Sequence, residues 1–264
     1  MVYELTVHTH RAATDWPYLC RLCAAPHERW QRQCASCRTW DTVQPRGGAA
    51  AERSRRARDV RVVPNPRIPL PGVPWLSALL GGGLPQRCCW INSGEPGSGK
   101  STVAMQVCGS WPFAAGIPLW ISTEQSAGEV VEYQRRIGGR DDLVVYGDEE
   151  DVTTSRRVRQ IANKHAAKLV VVDSVSGLED GAPRALKQWS ERAGVAVVLV
   201  SQVNSLGDAT GGPRLRHDTT LVTTMWKGKS AADERYLQLQ KSRYGDDGAL
   251  LALRKTESGA LVLA

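Results

Sequence analysis

The chain changes texture at about residue 69. From there to about residue 200, short and continuously apolar runs alternate with amphipathic stretches. This pattern predicts strands near 88–92, 118–122, 143–146, 169–173 and 195–200, and helices near 100–111, 126–137, 153–165 and 183–193. A strand that is apolar throughout, rather than at every second position, has both faces covered. These runs therefore predict an α/β domain with a mostly parallel sheet between two layers of helices. Past residue 218 the helical pattern stops, and shorter runs at 219–226, 235–241 and 249–254 predict added strands, some antiparallel, at one edge.

Residues 1–43 carry no such pattern and few apolar residues with which to build a core. They hold instead Cys20, Cys23, Cys34 and Cys37, two Cys-x-x-Cys pairs separated by ten residues. Each pair can aim two thiolates at one ion, and two such turns complete the tetrahedral site that Zn²⁺ accepts, with His27 nearby as an alternative to one thiolate. The ion would replace the missing core, supplying on the order of 10 kcal/mol of folding free energy. A closed four-thiolate site leaves no position for water, so a structural role is expected. Cys88, Cys89 and Cys108 lack the pairing, sit in apolar segments and read as buried thiols. Between module and α/β domain, residues 44–68 form a linker rich in Arg and Pro, either a strap for phosphates or a solvated tether. The expected organisation is thus a zinc-finger module over 1–43, a basic linker over 44–68 and an α/β domain over 69–264.

Composition agrees with one large domain and a small appendage: 264 residues, 42% hydrophobic and 23% charged. The chain has no run of eighteen apolar residues and no signal peptide, so a soluble, cytoplasmic protein without a membrane partner is expected. The formal charge is +7, and residues 1–68 account for nearly all of it, with twelve Arg against six acids. A local basic excess suits the phosphate backbone of nucleic acid, although Arg-rich segments also arise from base composition.

The strongest motif is Gly94-Glu95-Pro96-Gly97-Ser98-Gly99-Lys100-Ser101, which fits G-x-x-x-x-G-K-[ST] between a predicted strand and a predicted helix. Glycines there let backbone N–H groups wrap phosphates, and the helix N-terminus adds partial positive charge. Lys100 would reach the β- and γ-phosphates, Ser101 would ligate Mg²⁺, and Thr102 would continue the nucleotide contact. Downstream, Leu169–Asp173 is an apolar strand ending in a carboxylate, the place of a Walker B residue, so Asp173 is expected on the magnesium side. Glu124 follows another strand and is the candidate base for the attacking water. Gln202, after a third strand, could sense the γ-phosphate. Glu124 and Gln202 could each instead be a cap or loop residue. The polar loop after Gln202 carries Arg214 and Arg216, candidates for DNA contact whose affinity would follow nucleotide state, or else residues of an ordinary mobile connection.

At these residues the chain resembles the bacterial RadA/Sms family, RecA-like proteins that act in recombinational DNA repair. The likeness rests on the four cysteines with Cys34-Ala35-Ser36-Cys37-Arg38-Thr39-Trp40, on Gly81-Gly82-Gly83-Leu84 before the P-loop, and on Lys241-Ser242-Arg243-Tyr244-Gly245, which is similar to the family's Lys-Asn-Arg-Phe-Gly signature. It implies a RecA-like P-loop NTPase core behind a zinc module. It also implies a DNA-dependent ATPase binding single-stranded DNA, with strand exchange, branch migration or a helicase-type motor as extensions. Lys241 and Arg243 would then touch ATP across a subunit interface and also DNA, in a homo-oligomeric ring or filament, a hexamer among the options, with recombination proteins as further partners. Ser242 and Tyr244 depart from the signature, and the family's Lon-protease-like C-terminal domain is not expected, as the sequence stops at Ala264. The competing readings are an ATP-switched DNA-binding adaptor with little turnover and, behind it, a P-loop kinase, for which no lid insertion is evident.

Overall fold

The computed structural model describes residues 16–20, 22–45, 62–147, 152–202 and 218–264, so Arg214 and Arg216 and most of the predicted linker lie outside the described residues. The chain divides into two compact units, Met1–Val63 and Pro64–Ala264.

The first unit contains a small antiparallel sheet of β1 (Tyr18–Cys20), β2 (Pro26–His27) and β3 (Val43–Pro45), with β1 in the middle. Among the described residues its apolar cluster is little more than Cys20, Cys34 and Val43, with Tyr18 and Ala25 packed against it.

The second unit opens with a short hairpin, β4 (Arg67–Ile68) and β5 (Leu84–Pro85), around helix α1 (Pro74–Leu79). Residues 64–68, read from sequence as linker, therefore pack as part of this unit. Then follow β6 (Cys89–Gly94), α2 (Lys100–Ser110), β7 (Ile117–Ser122), α3 (Ala127–Arg136), β8 (Val144–Tyr146), α4 (Ser155–Lys164), β9 (Ala167–Asp173), α5 (Ala182–Ala193) and β10 (Ala196–Gln202). The chain closes with β11 (Leu221–Lys227), β12 (Glu234–Ser242), β13 (Leu250–Lys255) and β14 (Leu261–Leu263). The large sheet has nine strands in the order β14-β13-β12-β11-β6-β10-β9-β7-β8. The six strands from β11 to β8 are parallel; β12, β13 and β14 add antiparallel at the β11 edge.

The period of two along each strand divides the interior into two cores. Trp90, Trp120, Val171 and Val198 face one layer with α1, α2 and α3, while Ile91, Ile121, Val172 and Leu199 face the other with α4 and α5. Covering both faces explains why these strands are apolar throughout. Local capping sets two helix starts: Ser126 and Glu129 form a reciprocal capping box at α3, and the Thr154 side chain accepts from Arg157 N at α4. Helix α1, only six residues long, is too short to show a period and was not predicted; β4, β5 and β14 escaped for the same reason.

Candidate functional site

The parallel strands end together. In the ladders Gln202 stands opposite Gly94, Val200 opposite Asp173, and Asp173 opposite Ser122. The carboxyl ends of β6, β7, β9 and β10 thus meet along one rim, where ligands bind in open α/β sheets. Residues far apart in sequence, at 94–101, 122–124, 173 and 202, become neighbours only through this strand order.

The loop from Gly94 to Gly99 crosses from β6 into α2 and needs its glycines. A Cβ on Gly94 would lie 2.2 Å from the Met225 carbonyl oxygen, and one on Gly99, at φ 101, would lie 2.8 Å from Leu261 Cδ1. Lys100 bends back over the loop, its ammonium donating to the Glu95 carbonyl at 2.8 Å. Burial lowers the Lys100 pKa and Lys227 pushes the same way, while Asp173, Glu124 and Glu95 oppose them. The lysine therefore stands in a field of carboxylates, ready to exchange a carbonyl for a more strongly charged oxygen. Beneath it, Asn92 donates to the Lys100 carbonyl at 3.2 Å and Thr223 donates to Asn92 Oδ1 at 2.9 Å, a buried network supporting the start of α2.

The Ser101 hydroxyl stands near enough to the Asp173 carboxylate to favour its charged form. Burial raises the Asp173 pKa and the Glu124 charge adds to it, against the relief from Ser101 and Lys100. A hydroxyl beside a buried carboxylate supplies the hard-oxygen donors that suit Mg²⁺. Glu124 is held from the side: Ser174 donates to Glu124 Oε1 at 2.7 Å, and Ser174 in turn contacts Ser176. Thr123 ties this pair to β9, its N–H on the Asp173 carbonyl at 2.8 Å and its hydroxyl bonded both ways with the Ser174 backbone. Gln202 is exposed at the rim beside Gly94. Thr102, predicted to contact nucleotide, is buried one step into α2 and accepts the Tyr133 hydroxyl at 2.6 Å.

The antiparallel edge contributes side chains that sequence reading missed. A cleft is lined by Gly97, Gly99, Lys100, Ser101 and Thr102 on one side and by Arg235, Lys255 and Leu261 on the other. Lys227 lies opposite Arg235 in the ladder of β11 and β12, and its side chain passes Gly97. The Gln106 amide pairs twice with the backbone of Leu261, docking β14 onto α2. No local signal marks these residues, because only the register of a hairpin edge brings them to the loop.

Lys241 and Arg243 do not join this cluster. Arg243 N donates to the Thr220 carbonyl, and Thr220 is bonded to Cys89 at the opposite end of β6. From Cys89 to Gly94 is about 16 Å along a strand at about 3.3 Å per residue, so the pair sits at the end of β6 opposite its own P-loop. The Lys241 ammonium donates to the Thr219 carbonyl at 2.9 Å, and burial and Arg243 together lower its pKa.

In the first unit the four predicted cysteines converge, all four sulfurs within 4.8 Å of one another. Each pair sits in the same kind of turn. Ala24 N donates to the Cys20 carbonyl and Arg38 N to the Cys34 carbonyl, both at 2.9 Å, and Ala24 and Arg38 both adopt φ 56. Sulfur separations of 3.7 Å for Cys20–Cys37 and for Cys23–Cys34 match the edge of about 3.8 Å expected for a tetrahedron of zinc–sulfur bonds near 2.3 Å. They exceed a disulfide bond of about 2.05 Å. Hydrogen bonds, that with the Thr42 hydroxyl largest, hold the Cys20 thiol down at about 5, favouring the thiolate. His27 touches Cys34 Sγ through Nε2 at 3.3 Å from outside the four sulfurs, so the thiolates do not need it as a substitute. Cys88, Cys89 and Cys108 are buried, and burial pushes their thiols up, Cys89 to about 12.

No family model matches the chain. Proteins named DNA repair protein RadA do: that of Mycolicibacterium smegmatis is 29% identical over 86% of this chain, that of Pseudomonas aeruginosa 27% over 92%, and that of Escherichia coli 25% over 92%. The resemblance read from the motifs thus extends over most of the chain. The chain spans 55–58% of the length of these three relatives. Among solved structures, a KaiC-like protein of Pyrococcus horikoshii OT3 superposes on 76% of this chain, and over all of its own length, with a TM-score of 0.64 at 18% identity. The likeness supports a RecA-like α/β fold with a mostly parallel sheet, behind a four-cysteine module. Among the described residues no helix is long and apolar enough to cross a membrane.

Proposed function

We propose that this chain is an ATP-hydrolysing DNA-repair protein of the RecA-like kind, its turnover coupled to single-stranded DNA. The observation that carries the reading is the convergence of Lys100, the Ser101–Asp173 pair and the Ser174-held Glu124 on one rim of the sheet. Backbone N–H groups of Gly94 and Glu95 and of Gly97 through Gly99, on either side of Pro96, would cradle the phosphates, with Lys100 on the β- and γ-phosphates. Ser101 and Asp173 would hold Mg²⁺, which supplies charge neutralisation at the phosphates. Glu124 would orient a water toward the γ-phosphorus and take its proton. Gln202, at the rim, would report the γ-phosphate to the segment bearing Arg214 and Arg216, taken here as the DNA contact. Thr102, through Tyr133, would hold the first turn of α2 in place.

Lys241 and Arg243, at the end of β6 opposite their own P-loop, would serve the nucleotide of a neighbouring copy, so the working species is a homo-oligomer, a ring or a filament. A cation delivered across an interface stabilises charge developing on the γ-phosphoryl and ties turnover to assembly. The four-cysteine module would be a structural zinc centre preceding a basic linker and the ATPase domain, in a cytoplasmic protein. Strand exchange or branch migration by a helicase-type motor is the finer form of the same proposal.

The test is steady-state ATP hydrolysis with and without single-stranded DNA, for wild type beside Lys100→Ala, Glu124→Gln and Arg243→Ala. Stimulation by DNA that is lost in all three variants is the expected result. Tight ATP binding by wild type without turnover on any DNA would overturn it and favour the ATP-switched adaptor.

A further inference from the structure

The basic turn is held by a residue 177 positions away. The Arg67 guanidinium donates from Nη1 to the Leu80 carbonyl and from Nη2 to the Tyr244 carbonyl, and its Cζ lies 5.9 Å from the centre of the Tyr244 ring. Tyr244 is fixed at its other end as well, its hydroxyl donating at 2.8 Å to the Arg87 carbonyl, two residues before β6. Asn65 braces that point, accepting from Arg87 N at 2.7 Å. On the other side of the turn, Arg243 N is bonded to the Thr220 carbonyl at 3.0 Å and Tyr244 N to Ser242 Oγ at 3.1 Å. The peptide groups flanking Arg243 are therefore held on both sides while its own side chain is exposed.

We propose that Arg67, acting through Tyr244, is a positioning residue that sets the direction in which Arg243 leaves the sheet. The inference rests on the reading of Arg243 as a contact to a neighbouring copy's ATP. The planar fork serves two carbonyls at a fixed angle while its charge stays within cation–π range of the ring; an ammonium on a flexible stem lacks that pre-organised geometry. Loss of the clamp frees the Tyr244 carbonyl, and the exposed guanidinium then samples directions unproductive for a γ-phosphate. Misplacement of about 1 Å in a catalytic contact costs up to about a hundredfold in rate. The own-chain P-loop, at the far end of β6, keeps its geometry, so the loss falls on kcat rather than on KM for ATP.

The experiment is ATP turnover of the full chain with saturating single-stranded DNA for Arg67→Ala, Arg67→Lys, Tyr244→Phe, Arg243→Ala and the Arg67→Ala/Arg243→Ala pair. Expected is a loss in kcat of about tenfold or more for both Arg67 variants, with KM for ATP within about twofold. Tyr244→Phe keeps the carbonyl and ring and loses the hydroxyl's interactions with Arg87, Thr220 and Asn65, so its loss is smaller. In the Arg243→Ala background the Arg67→Ala change adds nothing, because the group it positions is gone. Factors that multiply in the double variant, or a raised KM at unchanged kcat, would overturn the positioning role. If Arg67→Ala does not fold, Arg67→Lys in the Arg243→Ala background carries the same comparison. Wild-type turnover by Arg243→Ala alone would instead sink the reading of the basic turn on which the inference stands.

Discussion

Replacing Thr223 by valine changes no volume of consequence but cuts a buried polar chain under the P-loop. Trp90 Nε1 donates to Thr223 Oγ1 at 2.8 Å, and Thr223 donates to Asn92 Oδ1 at 2.9 Å, with all three residues inaccessible to solvent. Valine leaves an indole N–H and an amide oxygen without partners. Each of the two orphaned buried groups costs about 1–3 kcal/mol, and the added methyl returns about 1 kcal/mol, so a net loss of about 1–5 kcal/mol, centred near 3, is expected. Against a total stability of about 5–15 kcal/mol this is a large fraction. Thr223→Ser keeps the hydroxyl, loses a methyl and should cost about 1 kcal/mol. Urea unfolding of the two variants beside wild type measures the order. Because Asn92 also supports the Lys100 carbonyl, Thr223→Val should weaken ATP binding as well. A Thr223→Val protein as stable as Thr223→Ser would refute the account of this network.

Glu124→Gln should lower kcat by about a hundredfold or more while ATP binding persists, since the amide can accept from Ser174 but cannot take a proton; a fluorescent ATP analogue and a phosphate-release assay separate the two. Asp173→Asn should abolish magnesium-dependent turnover yet stabilise the nucleotide-free fold. Burial raises the Asp173 pKa above its unfolded value, so the carboxylate's penalty is present at neutral pH and relieved as pH falls through the native pKa. The stabilisation by Asn is therefore greatest near neutrality and vanishes in acid, as thermal melts across pH would show. Purified chain should carry about one zinc, and Cys34→Ser should lose it together with the amide protection of residues 16–45. ATP binding by the second unit should survive that change, and retention of zinc by Cys34→Ser would count against the four-thiolate centre.

Much of the site was legible because its parts are contiguous. Eight residues from Gly94 to Ser101 contain the glycines, the lysine and the hydroxyl that a phosphate cradle requires, so pattern alone was enough to propose one there. Cys20–Cys23 and Cys34–Cys37 each specify their own turn, and the sequence showed the two turns without showing how the four sulfurs meet. Glu124, Asp173 and Gln202 were picked out as polar residues at the ends of apolar runs, a signal local to each strand. Ser174 carried no such signal, since its importance lies in a hydrogen bond to a residue fifty positions earlier. Arg67 looked like part of a basic linker for the same reason.

What the amino-acid sequence determined by itself was therefore the kind of each element and the chemistry carried within it. Backbone sterics and the apolar period act over a few residues, and they write the strands, the helices, the glycine loop and the cysteine turns directly into the chain. Strand order and register belonged to the tertiary structure. They follow from which faces bury together, a free energy shared among residues too distant for any local pattern to record. That burial brought Asp173 near Ser101, set Arg235 and Lys255 beside the P-loop, and carried Lys241 and Arg243 to the opposite end of the sheet.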